Sequence, residues 1–411
     1  MTAFCIRLLF LLLVGVLNTD NKISVFSLHN YYQNPGGEDT VFQNENKLLQ
    51  LNGHPVQKVT LDNDVINHFS IFQKSKMLWE STWNRDSQSR LLSALKGDSP
   101  DICHIHNFFP LWSPSIFYYL KKLNIPTVIT LHNYRFTCAN AYLFRNDHIC
   151  EKCVGKSTLR SVVYKCYQNS RIKSFAVSSM IEYHKKLLTW HKKVDAFICL
   201  TEFQKKILCR SGLPDSHCYI KPNFINDPNS SETYTGRSHF LFMGRFEHVK
   251  GAGLIMDALE SVSFPISVLG VKSETIKTNI ENVNFHGHVE NHKVHQYLKT
   301  SIALIFPSRW YEGLPLSILE AFACSTPVIA SNHGAMAELV EHGKTGLLFE
   351  PGNASDLAAK MTWAWEHKEE MRIMGENARR IYEEKYTPEK NYEMLMNIYE
   401  KAIENHHKNK K

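Results

Sequence analysis

The feature of this sequence that most restricts its fold is a repeated alternation of short apolar runs with amphipathic helical patterns. ISVFSL from Ile23, ICHIH from Ile102, TVITLH from Thr127 and AFICL from Ala196 have the length of buried strands, and helical periodicity separates them. Parallel strands joined by crossover helices produce such an alternation. We therefore expect an α/β fold built on parallel sheets.

The alternation stops once, in a polar, turn-rich segment from Lys221, and resumes with FLFMG, PISVLG, NFHG, IALIFP and PVIAS. With 411 residues, the chain is long enough for two domains that face each other across a cleft. The predicted divisions are an N-terminal extension (1–22), a first Rossmann-like domain with a cysteine-containing insert (23–222), a linker (223–236), a second Rossmann-like domain (237–385), and a C-terminal helix with a solvated basic tail (386–411).

The composition is that of a folded protein, with 43% apolar residues and no low-complexity tract. Forty-seven Lys and Arg against 40 Asp and Glu give a net charge of +7, a mild excess for this length. Such an excess suits anionic ligands or an anionic membrane surface, but it does not indicate a nucleic-acid-binding protein.

An apolar run from Leu8 to Leu17 follows Arg7 near the N-terminus. It is shorter than the ~20 residues that span a bilayer, and no A-x-A-like cleavage site follows it. A signal peptide, a weak anchor and a plain extension all fit this run. We expect a cytoplasmic protein that is peripheral at the membrane.

The ten cysteines fall into two groups. Most are single residues in apolar surroundings, which is typical of buried thiols. Four others lie within 29 residues and include a C-x-x-C; they fit a structural metal site, a pair of disulfides or unlinked thiols: Cys138, Cys150, Cys153 and Cys166.

The first candidate ligand-binding segment is NPGGED, which follows the first strand. Gly36 and Gly37 allow the backbone to approach a ligand, and the helix that Asp39 or Thr40 is expected to cap would favour an anion. An ordinary strand-to-helix turn explains the pair equally well. No G-x-G-x-x-G fingerprint follows a strand, which disfavours a nicotinamide site.

In the second half, GRFEHVKG places Arg245 and Lys250 between a strand end and a helix start. Two cations fixed there suit a diphosphate, although a solvated loop is the simpler interpretation.

The segment YEGLPLSILEAF from Tyr311 carries the most information. Glu312 precedes a predicted helix start and Glu320 lies about two turns into that helix. Gly313 permits close approach, and the first amides of the helix have no backbone partners. Carboxylates at a cleft edge accept paired hydrogen bonds from sugar hydroxyls. The residues of this start are Gly313, Leu314, Pro315 and Leu316.

His106 and His132 each end a predicted strand of the first domain, so both should reach the cleft. They do not resemble a metal pair, because no third ligand accompanies them. Asp62-Asn63-Asp64 resembles a D-x-D metal motif, but it lies in a polar loop and we assign it no metal. The basic stretch from Arg171 to Val194 fits either an anionic membrane surface or a packed helix with a solvated face.

These motifs, in this order, resemble those of glycosyltransferase family 4, the retaining enzymes with the GT-B fold. The similarity covers residues 23–400, with PGGE, H-N-Y-R from His132, the GRF…K segment, HGKTGLLFEPGNASDLA, and E-x₇-E from Glu312 to Glu320 as its most specific part.

The resemblance implies a role for each candidate residue. Arg245 and Lys250 would neutralise the diphosphate of a UDP- or GDP-sugar, and Glu320 would accept the ribose hydroxyls. Glu312 would hold hydroxyls of the transferred sugar beside the Gly313–Leu316 amides. Gly37 would lie against the phosphates, His132 would contact the sugar near the reacting carbon, and His106 is a weaker correspondence.

The resemblance also implies a metal-independent reaction with no cofactor beyond the donor sugar. No carboxylate matches a covalent nucleophile, so a front-face displacement is implied, and the acceptor would be a glycan or a lipid-linked molecule. The N-terminal apolar run and the four-cysteine insert are not general features of the family. A nucleotide-sugar epimerase, a non-catalytic carbohydrate-binding subunit and a secreted disulfide-bonded binding protein remain alternatives.

Overall fold

The computed structural model describes residues 22–33, 36–228, 236–271 and 282–408. The predicted N-terminal extension, Asn34 and Pro35 of NPGGED, the middle of the linker and the last three residues lie outside these ranges.

The first half forms a sheet of six parallel strands. These strands are β1 (Val25–Tyr31), β2 (Val56–Asp62), β3 (Ile102–Ile105), β4 (Thr127–Leu131), β7 (Ala196–Cys199) and β8 (Cys218–Ile220), in the spatial order β2-β1-β3-β4-β7-β8. A two-stranded antiparallel hairpin, β5 (Phe144–Arg145) and β6 (His148–Ile149), lies in the segment after β4. The helices are α1 (Gly37–Leu51), α2 (Ile71–Glu80), α3 (Asp86–Leu95), α4 (Ser115–Lys122), α5 (Arg160–Val163), α6 (Arg171–Lys186), α7 (Thr189–Lys192) and α8 (Glu202–Arg210).

The second half forms another six-stranded parallel sheet. Its strands are β9 (His239–Met243), β10 (Ile266–Leu269), β11 (Val283–Phe285), β12 (Ser301–Phe306), β13 (Val328–Ser331) and β14 (Gly346–Phe349), in the order β11-β10-β9-β12-β13-β14. Its helices are α9 (Ala252–Leu259), α10 (Asn291–Thr300), α11 (Leu316–Ala323), α12 (Gly334–Leu339), α13 (Ala354–Glu366) and α14 (Lys368–Lys385). The expected pair of parallel α/β units is therefore confirmed.

The strand order locates the edges at which ligands bind. In each sheet the connection reverses direction once, between β1 and β3 and between β9 and β12. Open parallel sheets bind ligands at the carboxyl ends of the strands beside such a reversal. The residues after β1, β3, β9 and β12 therefore carry the chemistry of this fold.

The last helix, α15 (Pro388–Lys408), returns to the first sheet. Leu395, Ile398 and Tyr399 pack in one apolar cluster with residues of β1, β3, β4 and β7. The expectation of a solvated end from His406 is wrong for that residue, which is fully buried with Nδ1 2.9 Å from Asp195 Oδ2.

The described start of the first connection between the halves, residues 221–228, lies beside the second connection, Tyr386–Thr387, and the Ile225 amide donates to the Tyr386 carbonyl oxygen at 3.4 Å. The Tyr382 hydroxyl donates to the Ile225 carbonyl oxygen at 3.2 Å, and Arg379 Nη2 lies 2.6 Å from Asp227 Oδ2. The Asn391 amide donates to the Pro222 carbonyl oxygen at 2.7 Å. Side chains of the helices on either side of the second connection therefore hold the first in place.

Several element boundaries differ from those expected. Helix α1 begins at Gly37, before Asp39 and Thr40, with Gly36 as its N-cap. Asp39 instead accepts a hydrogen bond from the Gly36 amide at 2.9 Å, while the Thr201 hydroxyl caps α8 by accepting from the Gln204 amide at 3.1 Å. Gly53 follows the end of α1 at φ +81°, a conformation that glycine adopts without strain.

Candidate functional site

The loop after β12 holds Glu312 in a polar cage. Its Oε1 lies 2.8 Å from Lys250 Nζ, and it accepts hydrogen bonds from Ser308 Oγ at 2.7 Å and from the Trp310 indole at 2.6 Å. Burial raises the pKa of this carboxyl group, but Lys250 and the two hydrogen-bond donors outweigh burial and hold the pKa below its usual range. Glu312 is therefore an ionised acceptor with one oxygen, Oε2, outside these contacts.

Lys250 reaches Glu312 from the loop after β9. It ends a short 3₁₀ turn, His248–Lys250, and its ammonium lies 5.2 Å from the centre of the Trp310 ring. The next residue, Gly251, has φ +85°, and a Cβ there would lie 2.2 Å from the Pro307 carbonyl oxygen. Only glycine allows this turn to pack so closely under β12. Arg245, in contrast, is half exposed, and its Nη1 lies 3.3 Å from Glu247 Oε1.

Helix α11 begins directly behind Glu312, with Pro315 as its N-cap. Its first amides have no intrahelical partners and carry the positive end of the helix dipole. One turn further, Glu320 is half buried and has no hydrogen-bond or ion-pair partner among the described residues. Burial raises its pKa to about 7. A ligand that supplies hydrogen-bond donors would therefore stabilise the ionised form of Glu320 and gain binding free energy.

The two halves meet at this point. A Cβ on Gly313 would lie 2.7 Å from the His132 carbonyl oxygen, so the two backbones allow no side chain between them. On the other side, a Cβ on Gly37 would lie 3.6 Å from Leu316 Cδ1. The structure thus brings Gly37 and His132 of the first half close to Gly313 and Leu316 of the second, next to the Lys250–Glu312 pair. These residues come from four loops, those after β1, β4, β9 and β12.

His132 stands at the front of a buried polar chain. Its Nε2 lies 3.1 Å from His106 Nδ1; behind that ring, His106 Nε2 lies 3.3 Å from Glu45 Oε1. Lys221 Nζ lies 2.5 Å from Glu45 Oε2. Burial, together with the neighbouring His106 and His29, lowers the pKa of His132 well below its usual value, so its imidazole is neutral. His106 itself is buried and lines a small cavity together with His132.

Among the described residues, ligand atoms of Glu45, His104 and His106 form the one cluster tight enough to suggest a metal. Lys221 already neutralises the Glu45 carboxylate, and His104 Nε2 is 2.8 Å from Thr130 Oγ1. These partners give the cluster a simpler role, which is to fix the orientation of His106 and, through it, His132.

A polar group beside His132 was not singled out from the sequence, although PGGE and H-N-Y-R contain it. Glu38 has a buried carboxylate oxygen without a hydrogen-bond partner. Burial and the nearby Asp39 raise its pKa, against the opposing effects of Asn133 and Arg135. Asn133 Nδ2 donates to the Tyr32 hydroxyl at 3.1 Å. Tyr32, Asn133 and Arg135 line a small cavity next to His132, and Glu38 lies beside this group.

The cysteine-containing insert crosses the cleft. Tyr142 stacks on Trp310 with ring centres 4.5 Å apart, and Tyr311 donates to Glu151 Oε1 at 3.0 Å. The cysteines of the described residues are all free thiols; Cys138 and Cys153 are buried, and Cys150 and Cys166 are partly buried. The segment therefore supports the loop that carries Glu312.

Asp62 and Asp64 form a local cap: Asp62 Oδ1 accepts the Asp64 amide at 2.8 Å, at the start of a 3₁₀ helix, Asn63–His68. No helix within the described ranges is long and apolar enough to cross a bilayer.

Two family models match the chain and together span most of it. Residues 35–227 match Glycosyltransferase Family 4, and residues 223–381 match Glycosyl transferases group 1.

Similar curated proteins are transferases by name. A D-rhamnosyltransferase, WbpZ of Pseudomonas aeruginosa, is 30% identical over 161 residues, which are 37% of this chain and 42% of that protein. This match thus spans less than half of the relative. A 2-deoxystreptamine N-acetyl-D-glucosaminyltransferase of Niallia circulans is 23% identical over 326 residues, which are 75% of this chain and 77% of that protein.

Solved structures share the fold. A sucrose-phosphate synthase of Thermosynechococcus elongatus has a TM-score of 0.67 at 16% identity and covers 92% of this chain and 98% of its own. Anabaena HepE in complex with UDP-glucose has a TM-score of 0.60 at 14% identity over 91% of this chain and 99% of its own. The expected GT-B fold is confirmed.

Proposed function

The chain belongs to glycosyltransferase family 4, and from this premise we propose that it transfers a sugar, with retention, from a UDP- or GDP-sugar to a glycan or lipid-linked acceptor. The observation that carries the proposal is the Lys250–Glu312 pair at the reversal of the second sheet, opposite His132. A paired cation and carboxylate there match the two parts of a nucleotide sugar, its diphosphate and its sugar hydroxyls.

In the proposed complex each side chain meets one part of the donor. Lys250 and the first amides of α11 face the diphosphate, whose negative charge grows as the bond to the sugar breaks. Glu312 Oε2 accepts sugar hydroxyls, and Glu320 accepts ribose hydroxyls. Arg245 must turn from Glu247 towards the phosphates, since it is half exposed and free to move.

The proposed reaction forms and breaks bonds on one face of the sugar. The bond between the anomeric carbon and the diphosphate oxygen breaks, the acceptor oxygen attacks from the same side, and its proton passes to the leaving phosphate. The neutral His132 accepts or donates a hydrogen bond at the sugar without adding positive charge. We propose that the cations and the first amides of α11 stabilise the leaving diphosphate without a metal ion.

The relatives support the donor class. HepE was solved with UDP and with UDP-glucose, and the curated relatives transfer rhamnose or N-acetylglucosamine by name. The group around Glu38 offers polar contacts on the acceptor side, which suits a hydroxylated acceptor.

Thermal stabilisation by UDP, GDP and their sugars, measured in EDTA, tests the donor site. A ligand at 100 times its Kd should stabilise the protein by about 2.7 kcal/mol. We expect one nucleotide series to stabilise the wild type, Glu320→Ala to respond less, and the exposed-site control Glu366→Ala to respond like wild type. No shift with any nucleotide, or an equal shift in Glu320→Ala, would contradict the proposal.

The stereochemistry is tested separately. Proton NMR of the product formed from an α-linked donor should show an α-linkage. A β-linked product would exclude retention, and release of an epimerised sugar nucleotide would favour the epimerase alternative.

A further inference from the structure

Helix α2 (Ile71–Glu80) lies on the protein surface and has no buried residue. Ile71 is 89% exposed, Phe72 79% and Trp79 54%. At about 100° per residue, these three side chains fall on one side of the helix. A stripe of large apolar side chains in water is unusual for a surface helix and marks a contact site.

A second stripe continues the first. Ile172, Phe175 and Tyr183 of α6 (Arg171–Lys186) lie on one helical side and are 70%, 43% and 45% exposed. The rings of Trp79 and Phe175 are 6.1 Å apart, so the stripes join. We call the exposed sides of α2 and α6, together with α5 (Arg160–Val163), which packs on α6, the apolar–basic face.

The positive charge of the chain is concentrated around this face. Segments 70–80 and 160–193 contain ten Lys or Arg and two Asp or Glu, a net charge of +8, whereas the whole chain carries +7. All other residues together therefore carry −1. On α2, Lys74 and Lys76 flank the apolar stripe on its two sides, where long cationic side chains cover apolar residues and reach for anions.

The charge of the apolar–basic face indicates what binds there. Two copies of the chain that met through this face would each present a net charge of +8, and the repulsion opposes self-association. An anionic lipid surface accepts both the apolar side chains and the cations around them. We propose that the apolar–basic face binds the surface of an anionic phospholipid bilayer.

The face lies next to the carboxyl edge of the first sheet. The 3₁₀ helix Asn63–His68 leads from β2 to α2, and Asn30 at the end of β1 donates to Asn63 Oδ1 at 2.8 Å. A bilayer on this face would bring a lipid-linked acceptor close to the first-domain side of the cleft. That use of the bilayer rests on the proposed function, whereas bilayer binding does not.

Vesicle flotation at low salt tests the proposal with the full chain. The vesicles are phosphatidylcholine alone or phosphatidylcholine mixed with phosphatidylglycerol. The variants are Phe72→Ser, which removes an apolar group, and Lys74→Glu, which reverses a charge. Leu51→Ser is the matched control, because Leu51 is 76% exposed but ends α1, outside the face.

We expect wild type and Leu51→Ser to float with the anionic vesicles only. The bound fraction should fall several-fold in Phe72→Ser and in Lys74→Glu, and for wild type it should fall as salt increases. Circular dichroism checks that the variants remain folded. Wild type that stays at the bottom of the gradient, or Phe72→Ser that floats like wild type, would overturn the proposal.

Sedimentation velocity separates the other occupants. If the wild type is a dimer and Phe72→Ser is a monomer, the apolar–basic face binds a second copy of the chain and the bilayer proposal is overturned. If nucleotides fail to stabilise a protein that still floats, the proposed function fails while this inference stands.

Discussion

The two walls of the cleft are built in opposite ways. On the first-domain wall, His132 is backed by His106, Glu45 and Lys221, all in contact and buried. On the second-domain wall, Glu312 is paired with Lys250, but Glu320 has no partner among the described residues and Arg245 is half exposed. The chain of groups behind His132 is paired without a ligand, whereas Glu320 on the second wall is left for a ligand to satisfy.

This difference assigns the two kinds of role. Prearranged polar groups fix the position of a neutral imidazole, at a cost in desolvation that pairing offsets. Unpaired groups at a helix start and a strand end provide binding free energy for an anionic ligand with hydroxyl groups. The following predictions test the contrast, beginning with the largest effect.

Glu45→Gln should destabilise the protein by about 3–5 kcal/mol, because it leaves the buried Lys221 ammonium without its carboxylate. Denaturant unfolding measures the change. Adding Lys221→Met should restore part of the loss, since no buried charge then remains. A loss below about 1 kcal/mol for Glu45→Gln would show that the first wall does not depend on this pair.

Lys250→Ala should lower kcat/KM by about 10²–10³, because it removes a preplaced cation from the diphosphate. Its Tm should stay close to that of wild type, since Lys250 is partly exposed. Lys360→Ala, which removes another partly exposed lysine of the second domain, serves as the control. Equal activities of the two variants would remove Lys250 from the site.

Glu320 should make donor binding depend on pH. Because the pKa of Glu320 is raised to about 7, this carboxyl group is protonated in the free protein at low pH. The proton must be released before the carboxylate can accept hydrogen bonds from the ribose hydroxyls. Affinity should therefore rise up to tenfold per pH unit towards pH 7 and level off above it. Calorimetric titration of wild type and Glu320→Gln measures this dependence, which should flatten in the variant.

The raised pKa of Glu320 also makes the stability of the fold depend on pH. The pKa of Glu320 is higher in the folded than in the unfolded protein. Ionised Glu320 therefore destabilises the fold, most strongly above pH 7, and the effect is absent below about pH 4, where the group is protonated in both states. Glu320→Gln should therefore raise the Tm at pH 8 and leave it unchanged at pH 4. An increase at pH 4 would indicate a cause other than ionisation.

Tyr142→Ala should have the smallest effect, about 1 kcal/mol, because it removes one aromatic stack on Trp310. We expect KM for the donor to increase more than kcat falls, since Trp310 supports both Lys250 and Glu312. Tyr142→Phe retains the stack and should behave like wild type. Loss of activity in Tyr142→Phe would point to the hydroxyl group instead.

The sequence predicted the fold well because most central strands contain a continuous apolar run, which burial on both faces requires, whereas the edge strand β2, VQKVTLD, has an alternating pattern and was not predicted. It also predicted that Glu312, Gly313 and His132 reach one cleft, because the carboxyl ends of the strands of both sheets were expected to face it. It could not predict the partners of Glu45, since Lys221 and His106 are distant in sequence and a single buried acid leaves no periodic signal. The exposed helix α2 was also missed, because its apolar residues look like those of a core helix.

The paired connections between the halves have a mechanical consequence. The two connections are held close together by the Arg379–Asp227 ion pair and by the hydrogen bond from Tyr382 to Ile225. Rotation of one half relative to the other about the line through both connections would leave these bonds intact. Rotation about a perpendicular axis would stretch them. We therefore expect rotation about this line to be the easiest relative motion of the two halves, and it would change the width of the cleft between His132 and Glu312.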